Sequence, residues 1–198
     1  MNNTRMHRWV EEDAKAGIFR VSRRAFVDEQ VLARERQQIF DRCWLYLGHE
    51  SEIAQPGDFL TRQVGGRELL FTRDREGRAR AFFNTCPHRG AMVCRERQGS
   101  ANGFRCFYHS WLFGLDGRLV NGPGDEAYSA CTREEGRADL TAVPRLDQHR
   151  GLYFVNYQPD GPNLRDYLAD AAEYIDLMAD QSEAGMEIVG GTRDYGVE

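Results

Sequence analysis

Cys86-Pro-His-Arg-Gly90 and Cys106-Phe-Tyr-His-Ser-Trp111 are the two segments that decide the fold of this chain. Their spacing is Cys-x-His, then 17 residues, then Cys-x-x-His. Each segment follows the end of a predicted strand, and a loop carried by a strand can hold its side chains rigidly. Thiolates and imidazoles are common metal ligands. The pattern therefore predicts a metal site built from Cys86, His88, Cys106 and His109.

The distribution of these donors indicates which metal they would hold. A zinc finger usually pairs its cysteines in one loop and its histidines in another, whereas each loop here mixes the two. Two irons bridged by sulfides offer two corners each, so a mixed loop can place its Cys on one iron and its His on the other. This favours a [2Fe–2S] centre in which two His replace two Cys on one iron. Zinc in the same four ligands and a chance spacing without metal are the alternatives.

Length and composition limit the number of domains and the classes of protein that the chain can belong to. The 198 residues allow one domain, or one domain and part of another, and the 41% hydrophobic content supplies a core, which excludes a disordered chain. A net charge of −5 argues against a nucleic-acid-binding protein, and no apolar run is long enough to suggest a membrane span. Five cysteines are too few for a disulfide scaffold, and Arg23-Arg24 lacks the apolar stretch of an export signal. We therefore expect a cytoplasmic protein.

Short runs of aromatic and branched residues, separated by turn signals, fill the middle of the chain. Gly65-Gly66 is a two-residue hairpin signal, and Glu76-Gly77 and Asp116-Gly117 mark further turns. This pattern predicts a small all-β domain over residues 41–157. The predicted strands are Trp44–Gly48, Asp58–Val64, Glu68–Thr72, Ala79–Asn84, Phe104–Phe107, Trp111–Phe113, Arg118–Val120 and Gly151–Tyr157.

Helical patterns flank this β domain. An amphipathic helix is predicted from Asp28, as N-cap, to Cys43, and residues 1–40 are assigned to an N-terminal helical segment that precedes the β domain. After Asp160-Gly-Pro162 an apolar stripe predicts one helix of roughly 16 residues, and Met186–Val189 then reads as a strand. The stripe consists of Leu164, Tyr167, Leu168, Ala171, Ile175 and Met178.

From about residue 18 onward the sequence resembles the Rieske domain of ring-hydroxylating oxygenase α subunits. The resemblance implies a fold that is mostly β with flanking helices, in which a small antiparallel β domain carries a [2Fe–2S] cluster between two loops. Ala91 and Tyr108 stand where a respiratory branch of Rieske proteins has a disulfide, so that disulfide is not expected. The likeness is carried by Cys86–Gly90, Cys94-Arg95, Phe104–His109, Trp111, Asp116–Val120, Phe40–His49 and Gly151–Val155.

The resemblance also implies roles and partners. Cys86 and Cys106 would hold one iron, and His88 and His109 the other. The complete enzyme of such a family adds dioxygen to an aromatic ring, with electrons delivered by a ferredoxin or reductase. It assembles as a homo-oligomer (a trimer) or an α/β hetero-oligomer, with no nucleic-acid or membrane partner.

Aromatic and basic residues surround the two loops. Tyr108 and Trp111 are candidates for packing or hydrogen bonding beside the cluster, with ordinary core aromatics as the alternative. Four arginines close to the ligands form a candidate docking patch for an acidic redox partner, with a solvated charged rim as the alternative: Arg89, Arg95, Arg97 and Arg105.

A second metal site expected in such an α subunit is not found in the sequence. That site is a mononuclear Fe(II) held by two His and one carboxylate. Once His88 and His109 are assigned to the cluster, three histidines remain: His7, His49 and His149. None of the three has a partner histidine and carboxylate at the family's ligand spacing. We therefore assign no catalytic residue, and expect the mononuclear iron only in a catalytic domain missing from this chain.

Two interpretations follow. The chain is the N-terminal part, or a truncated copy, of an α subunit, in which residues 158–198 begin the catalytic domain as a helix followed by a strand. Alternatively it is a self-contained, ferredoxin-like Rieske electron carrier. Such a carrier would not need the predicted flanking helices, and we favour the first interpretation.

Overall fold

A computed structural model describes residues 9–123 and 136–189, and the chain divides into two compact units, Met1–Arg42 and Cys43–Glu198. Within the described residues, no helix is both long enough and apolar enough to cross a membrane. Strands outnumber helices, as the sequence predicts. Because the two loops of interest lie in the second unit, that unit carries the rest of the description.

The first unit contains a β-hairpin that the sequence did not predict. Strands β1 (Val10–Asp13) and β2 (Ile18–Val21) pair antiparallel, and the Asp13 carboxylate accepts the backbone N–H groups of Lys15 and Ala16 in the turn. The prediction of a helical segment over residues 1–40 is therefore wrong for this stretch, because a local side-chain turn, rather than periodicity, decides its structure.

Helical segments follow this hairpin in the described part of the first unit. Helix α1 spans Arg24–Val27, α2 spans Glu29–Glu35, and a π-helical turn covers Arg36–Phe40. Asp28 caps α2 as predicted, because its carboxylate accepts the Gln30 N–H at 2.9 Å. The helix predicted to reach Cys43 ends at Phe40.

Three antiparallel sheets form the framework of the described part of the second unit. Their strand orders are β6-β5-β4-β7, β11-β12-β3 and β10-β9-β8. A 3₁₀ turn over Glu50–Ile53 follows β3, with a capping box between His49 and Glu52. The strands are β3 (Leu45–His49), β4 (Asp58–Val64), β5 (Arg67–Arg73), β6 (Ala79–Phe83), β7 (Gln98–Ser100), β8 (Phe104–Arg105), β9 (Leu112–Phe113), β10 (Leu119–Asn121), β11 (Arg145–His149) and β12 (Leu152–Asn156).

The four-stranded sheet separates two hydrophobic cores. Alternate residues of a strand face opposite sides, so Leu70 enters one core while its neighbours Leu69 and Phe71 enter the other. We call the first the loop core, because it contains Cys86 and Cys106, and the second the sheet core, because it lies toward β3 and β12. The turn between β4 and β5 confirms the hairpin signal, since Gly65 and Gly66 both have positive φ (56° and 84°).

The C-terminal helical pattern is divided in two. Helix α3 spans Leu164–Leu168 and α4 spans Ala171–Ala179, with Ala169 between them at φ 45°. The predicted single helix is therefore wrong, and Met178 at the end of its apolar stripe is 55% exposed. Residues 186–189 form no strand, contrary to prediction, and residues 190–198 lie outside the described part.

Candidate metal centre

Two loops that contribute residues to the loop core bring the predicted donors together. Loop 1, Cys86–Ala91, follows β6 and is closed by an isolated bridge between Thr85 and Met92. Loop 2, Cys106–Trp111, joins β8 to β9. Both loops therefore start from hydrogen-bonded strands, which fixes the positions of their first residues.

The two loops share one backbone plan. The N–H of Cys86 donates to the carbonyl of Ala91, and the N–H of Gly90 donates back to the carbonyl of Cys86 (2.7 and 2.8 Å). In loop 2, the N–H of Cys106 donates to the carbonyl of Trp111 at 2.8 Å, and the N–H of Ser110 donates back to the carbonyl of Cys106 at 2.9 Å. The fifth residue has positive φ in each loop, 71° at Gly90 and 60° at Ser110. Each loop is thus a closed turn that presents one cysteine and one histidine.

The four donors lie in two pairs. The imidazole rings of His88 and His109 have their centroids 4.5 Å apart. Cys86 and Cys106 are 2% and 1% exposed, and the two thiols are close enough that Cys106 raises the pKa of Cys86. Within residues 9–123 and 136–189, no three His, Cys, Asp or Glu side chains surround one point as a single metal ion requires. Two pairs are the arrangement that two bridged irons need, since each iron takes two protein ligands.

Burial shifts the pKa values of Cys86 and His88 in opposite directions. Burial raises the pKa of the Cys86 thiol, although the backbone N–H of His88 partly offsets this, and the neighbouring Cys106 raises it further. Burial lowers the pKa of His88, as do the nearby His109 and the Arg89 guanidinium. His88 therefore offers a neutral imidazole at pH 7, while Cys86 must lose its proton when it binds a metal.

Two aromatic side chains flank the imidazole pair. Trp111 is buried and stacks on His88, with ring centroids 4.9 Å apart and planes 7° apart. Tyr108 is half-exposed, and its ring centroid lies 3.8 Å from that of the His109 imidazole. The sequence named both as candidates beside the cluster, and the structure places each against one imidazole. They restrict the orientation of the two rings, as neighbours of metal ligands commonly do.

Asn84 is a supporting residue that the sequence did not single out. It is 1% exposed, its amide oxygen accepts the N–H of Cys94 at 2.9 Å, and its amide nitrogen donates to the Cys94 carbonyl at 2.7 Å. These two bonds tie the chain before loop 1 to the chain after it. A lone Asn at a strand end carries no sequence signal for such a role.

The remaining histidines and cysteines have other neighbours. His49 is buried beside Ser51, and the His149 Nε2 lies 2.9 Å from the Asp176 carboxylate. Cys43 contacts the Tyr167 hydroxyl, and Cys94 is a buried core residue, as expected for a small apolar side chain. The four described cysteines are free thiols. His7 and Cys131 lie outside the described residues.

Paired thiols beside paired imidazoles, on two closed loops of a small antiparallel β domain, define a class of iron–sulfur protein. The family model of the Rieske [2Fe–2S] domain matches residues 43–144, which is more than half of the chain, and the chain belongs to this family. The family match favours the cluster over zinc in the same four ligands.

More specific relatives are α subunits of aromatic-ring dioxygenases. The chain is 36% identical over 188 residues to toluate 1,2-dioxygenase subunit alpha of Pseudomonas putida, covering 94% of this chain and 41% of that protein. It is 38% identical over 176 residues to biphenyl 2,3-dioxygenase subunit alpha of Rhodococcus jostii, covering 89% of this chain and 38% of that protein.

A solved structure of the same kind has a similar fold. Naphthalene 1,2-dioxygenase from Rhodococcus sp. matches with a TM-score of 0.76 at 36% identity, over 82% of this chain and 37% of that one. The chain thus spans about two fifths of the length of the relatives that it matches.

Proposed function

We propose that this chain is the electron-transfer part of an aromatic ring-hydroxylating dioxygenase α subunit, with Cys86 and Cys106 on one iron of a [2Fe–2S] cluster and His88 and His109 on the other. The observation that carries this proposal is the separation of the donors into a buried thiol pair and an imidazole pair. When bound, the cluster supplies a one-electron carrier.

The chain's own residues provide the site for that carrier. The strand-anchored loops hold the four donors, Trp111 and Tyr108 orient the imidazoles, and the loop core keeps water from the thiols. Tyr108 and the imidazole of His109 lie nearer the surface than the thiols do, since Cys106 is buried. We therefore assign the histidine side as the side where electrons enter and leave.

The extent of the similarity supports an α subunit over a stand-alone carrier. The match to toluate 1,2-dioxygenase subunit alpha covers 94% of the chain and so reaches beyond the Rieske domain at residues 43–144. In the complete enzyme, electrons from a ferredoxin or reductase would pass through this part to a mononuclear Fe(II) elsewhere. Residues 158–198 would begin the catalytic part, and the whole would assemble as a trimer or with a β subunit in the cytoplasm.

The ligand assignment is tested by spectroscopy of the chain after anaerobic reconstitution with iron and sulfide. We expect about two irons and two sulfides per chain, visible charge-transfer bands, and hyperfine coupling from two imidazole nitrogens in the reduced state. Cys86→Ser and Cys106→Ser should abolish the visible bands, and His88→Ala or His109→Ala should each remove the coupling from one of the two imidazole nitrogens.

Matched controls use the same residue types away from the two loops. Cys43→Ser and His149→Gln should keep both the bands and the nitrogen coupling, because neither side chain belongs to the donor pairs. A colourless zinc-loaded chain, or coupling to no nitrogen, would overturn the assignment.

A further inference from the structure

The two ends of loop 1 are held together in a different way from the two ends of loop 2. Loop 2 joins β8 to β9, and these two strands pair directly with each other. Loop 1 lies between β6 and β7, which pair with different strands, β5 and β4. Outside the loop itself, and within the part of the chain that the structure describes, one isolated bridge between Thr85 and Met92 is the only backbone pairing across its ends. A side chain supplies the contact that strand pairing supplies in loop 2.

That side chain is Asn84. Its amide oxygen accepts the N–H of Cys94 and its amide nitrogen donates to the Cys94 carbonyl, as the backbone of a residue in a neighbouring strand would. We call these two bonds the Asn84 clamp. The backbone N–H of Asn84 donates to the Glu68 carbonyl in β5 at 2.9 Å, so the clamp is attached to the four-stranded sheet. Because Asn84 is 1% exposed, water is excluded from these bonds.

The chain beyond Cys94 is attached to the same sheet by other contacts. Thr61 in β4 donates from its hydroxyl to the Glu96 carbonyl at 2.9 Å and from its N–H to the Arg97 carbonyl at 2.8 Å. The Asn84 clamp therefore closes only the stretch of residues 84–94, which contains two of the proposed ligands. Loss of the clamp should free loop 1 locally, while the pairing of β4 with β7 persists.

Closure of loop 1 keeps water from Cys86. This thiol is 2% exposed and packs in the loop core together with Cys94, whose backbone the clamp holds. Two thiolates, two sulfides and two neutral imidazoles balance the charge of two ferric ions, so one added electron makes the centre anionic. Water stabilises a charged group more than a neutral one. Water that reached Cys86 would therefore favour the reduced state and raise the reduction potential.

We propose that Asn84 is a positioning residue for the electron carrier: its clamp holds loop 1 closed over Cys86, which slows loss of the cluster and keeps the reduction potential low. This inference rests on the proposed function. Asn84 acts through the backbone of Cys94 and through loop 1, in the way that residues behind metal ligands commonly fix the ligands and tune the metal. Its effect should therefore reach the loop 1 ligands, Cys86 and His88, and leave those of loop 2 in place.

The test compares the reconstituted 198-residue chain with its Asn84→Ser variant, in which the shorter side chain cannot reach both backbone groups of Cys94. Release of iron to a chelator, followed by the loss of the visible bands, should be at least about fivefold faster in the variant. The midpoint potential, measured by spectroscopic redox titration, should rise. In the reduced state, the nitrogen coupling of His88 should change, whereas that of His109 should stay the same.

Two matched controls separate this role from a general loss of stability. Asn156→Ser removes another buried asparagine, 3% exposed at the end of β12, and should lower the urea midpoint of unfolding without changing the potential or the nitrogen couplings. Cys94→Ala keeps the backbone groups that Asn84 holds, so the rate of cluster loss should stay within about twofold. Equal changes in Cys94→Ala and in Asn84→Ser would overturn the proposal, because the Cys94 side chain would then position loop 1.

A measurement on the unchanged chain does not depend on whether a variant folds. In the cluster-free chain, the side-chain NH₂ protons of Asn84, followed by NMR, should exchange with solvent at least about tenfold more slowly than those of the exposed Asn102. Equal exchange of the two would overturn the role of Asn84, as would an unchanged rate of cluster loss, potential and couplings in a folded Asn84→Ser chain. Both results leave the proposed function intact. An unchanged chain that forms no cluster, although its Asn84 protons are protected, would instead overturn the proposed function.

Discussion

Asp74 shows how a single buried carboxylate fixes a turn of the second unit. Its side chain is 3% exposed and accepts the backbone N–H groups of Glu76 and Arg78 at 2.9 Å, the Arg80 Nε at 2.9 Å and the Arg78 Nε at 3.1 Å. Burial opposes ionisation, but these hydrogen bonds outweigh it and hold the pKa of Asp74 at about 2, below its ordinary value of 3.8. The ionised carboxylate therefore stabilises the connection between β5 and β6, and β6 leads into loop 1.

Replacing Asp74 with Asn should lower the free energy of unfolding at pH 7 by about 1–2 kcal/mol. This loss of free energy is smaller than the pKa difference alone would give, because the guanidinium groups of Arg80 and Arg78 are partly solvated, at 35% and 56% exposure. Since the folded pKa is depressed, the contribution is complete above the unfolded pKa of 3.8 and is lost as the pH falls through about 2. Urea unfolding of the unchanged chain and of Asp74→Asn at several pH values measures the difference between their free energies of unfolding.

That difference should stay constant from about pH 7 to about pH 5 and then shrink in more acid solution. The control is Asp116→Asn in the turn between β9 and β10, where the carboxylate is 43% exposed, accepts the Arg118 N–H at 3.2 Å and lies 3.8 Å from the Arg118 Nε. We expect less than about 0.5 kcal/mol there. A difference for Asp74→Asn that grows below pH 5 would contradict a folded-state pKa below that of the unfolded chain.

At the scale of elements, loop 1 and loop 2 have different residue types at their fifth position, where the backbone of both loops has positive φ. Gly90 has φ 71° and open space where a Cβ would lie, so only backbone conformation disfavours another residue there. Ser110 adopts the equivalent conformation with a Cβ, at a cost of about 1–2 kcal/mol. The second loop thus holds its ligands in a backbone conformation that its own sequence disfavours.

Ser110→Gly should therefore raise the free energy of unfolding by about 0.5–1 kcal/mol, because relief of strain exceeds the added freedom of the unfolded chain. Gly90→Ala should lower it by about 1 kcal/mol. The matched control is Ser100→Gly in β7, where φ is not positive and glycine should destabilise by about 0.5–1 kcal/mol. Denaturant unfolding of the reconstituted chains measures all three. Equal destabilisation by the two Ser→Gly changes would show that the Ser110 side chain, and not its backbone, matters.

The elements also show which parts of the fold could be predicted from sequence. Strand β4 was predicted with its observed bounds because branched and aromatic residues lead into a Gly-Gly turn. Strand β11 was missed because Arg145–His149 has little apolar alternation, and its strand conformation comes from pairing with β12. The break at Ala169 was missed because alanine favours helix and no Gly or Pro marks the position.

The same contrast applies to the candidate site. Cysteine and histidine at a fixed spacing have a direct chemical meaning, so the four donors, with Tyr108 and Trp111 beside them, could be proposed from sequence and lie together in the fold. The role of Asn84 and the shared hydrogen-bond plan of the loops could not, because both depend on which backbone groups meet in three dimensions. The donors can be recognised from residue type and spacing, whereas the contacts that support them depend on the conformation that the loop backbone adopts.

At the scale of the whole molecule, the two cores give the second unit two regions with different dependence on the cluster. The loop core includes both proposed thiolate ligands, and it packs on one face of the four-stranded sheet. The sheet core lies on the other face with β3 and β12, and it contains no proposed ligand. Binding energy from a metal centre stabilises the structure that forms its ligand set, so loss of the cluster should act first on the loop core.

Hydrogen exchange of the iron-free chain should reveal this division. Amides of loop 1, β8, loop 2 and β9 should exchange at least about tenfold faster than in the reconstituted chain, while amides of β12 should change less than about threefold. The comparison is read by mass spectrometry of the same peptides from both forms. Cys106→Ser, treated identically with iron and sulfide, should match the iron-free pattern, and Cys43→Ser should match the reconstituted one. An equal increase across both cores would mean that the second unit opens as one cooperative body, and that the cluster stabilises the sheet core as strongly as the loops that hold it.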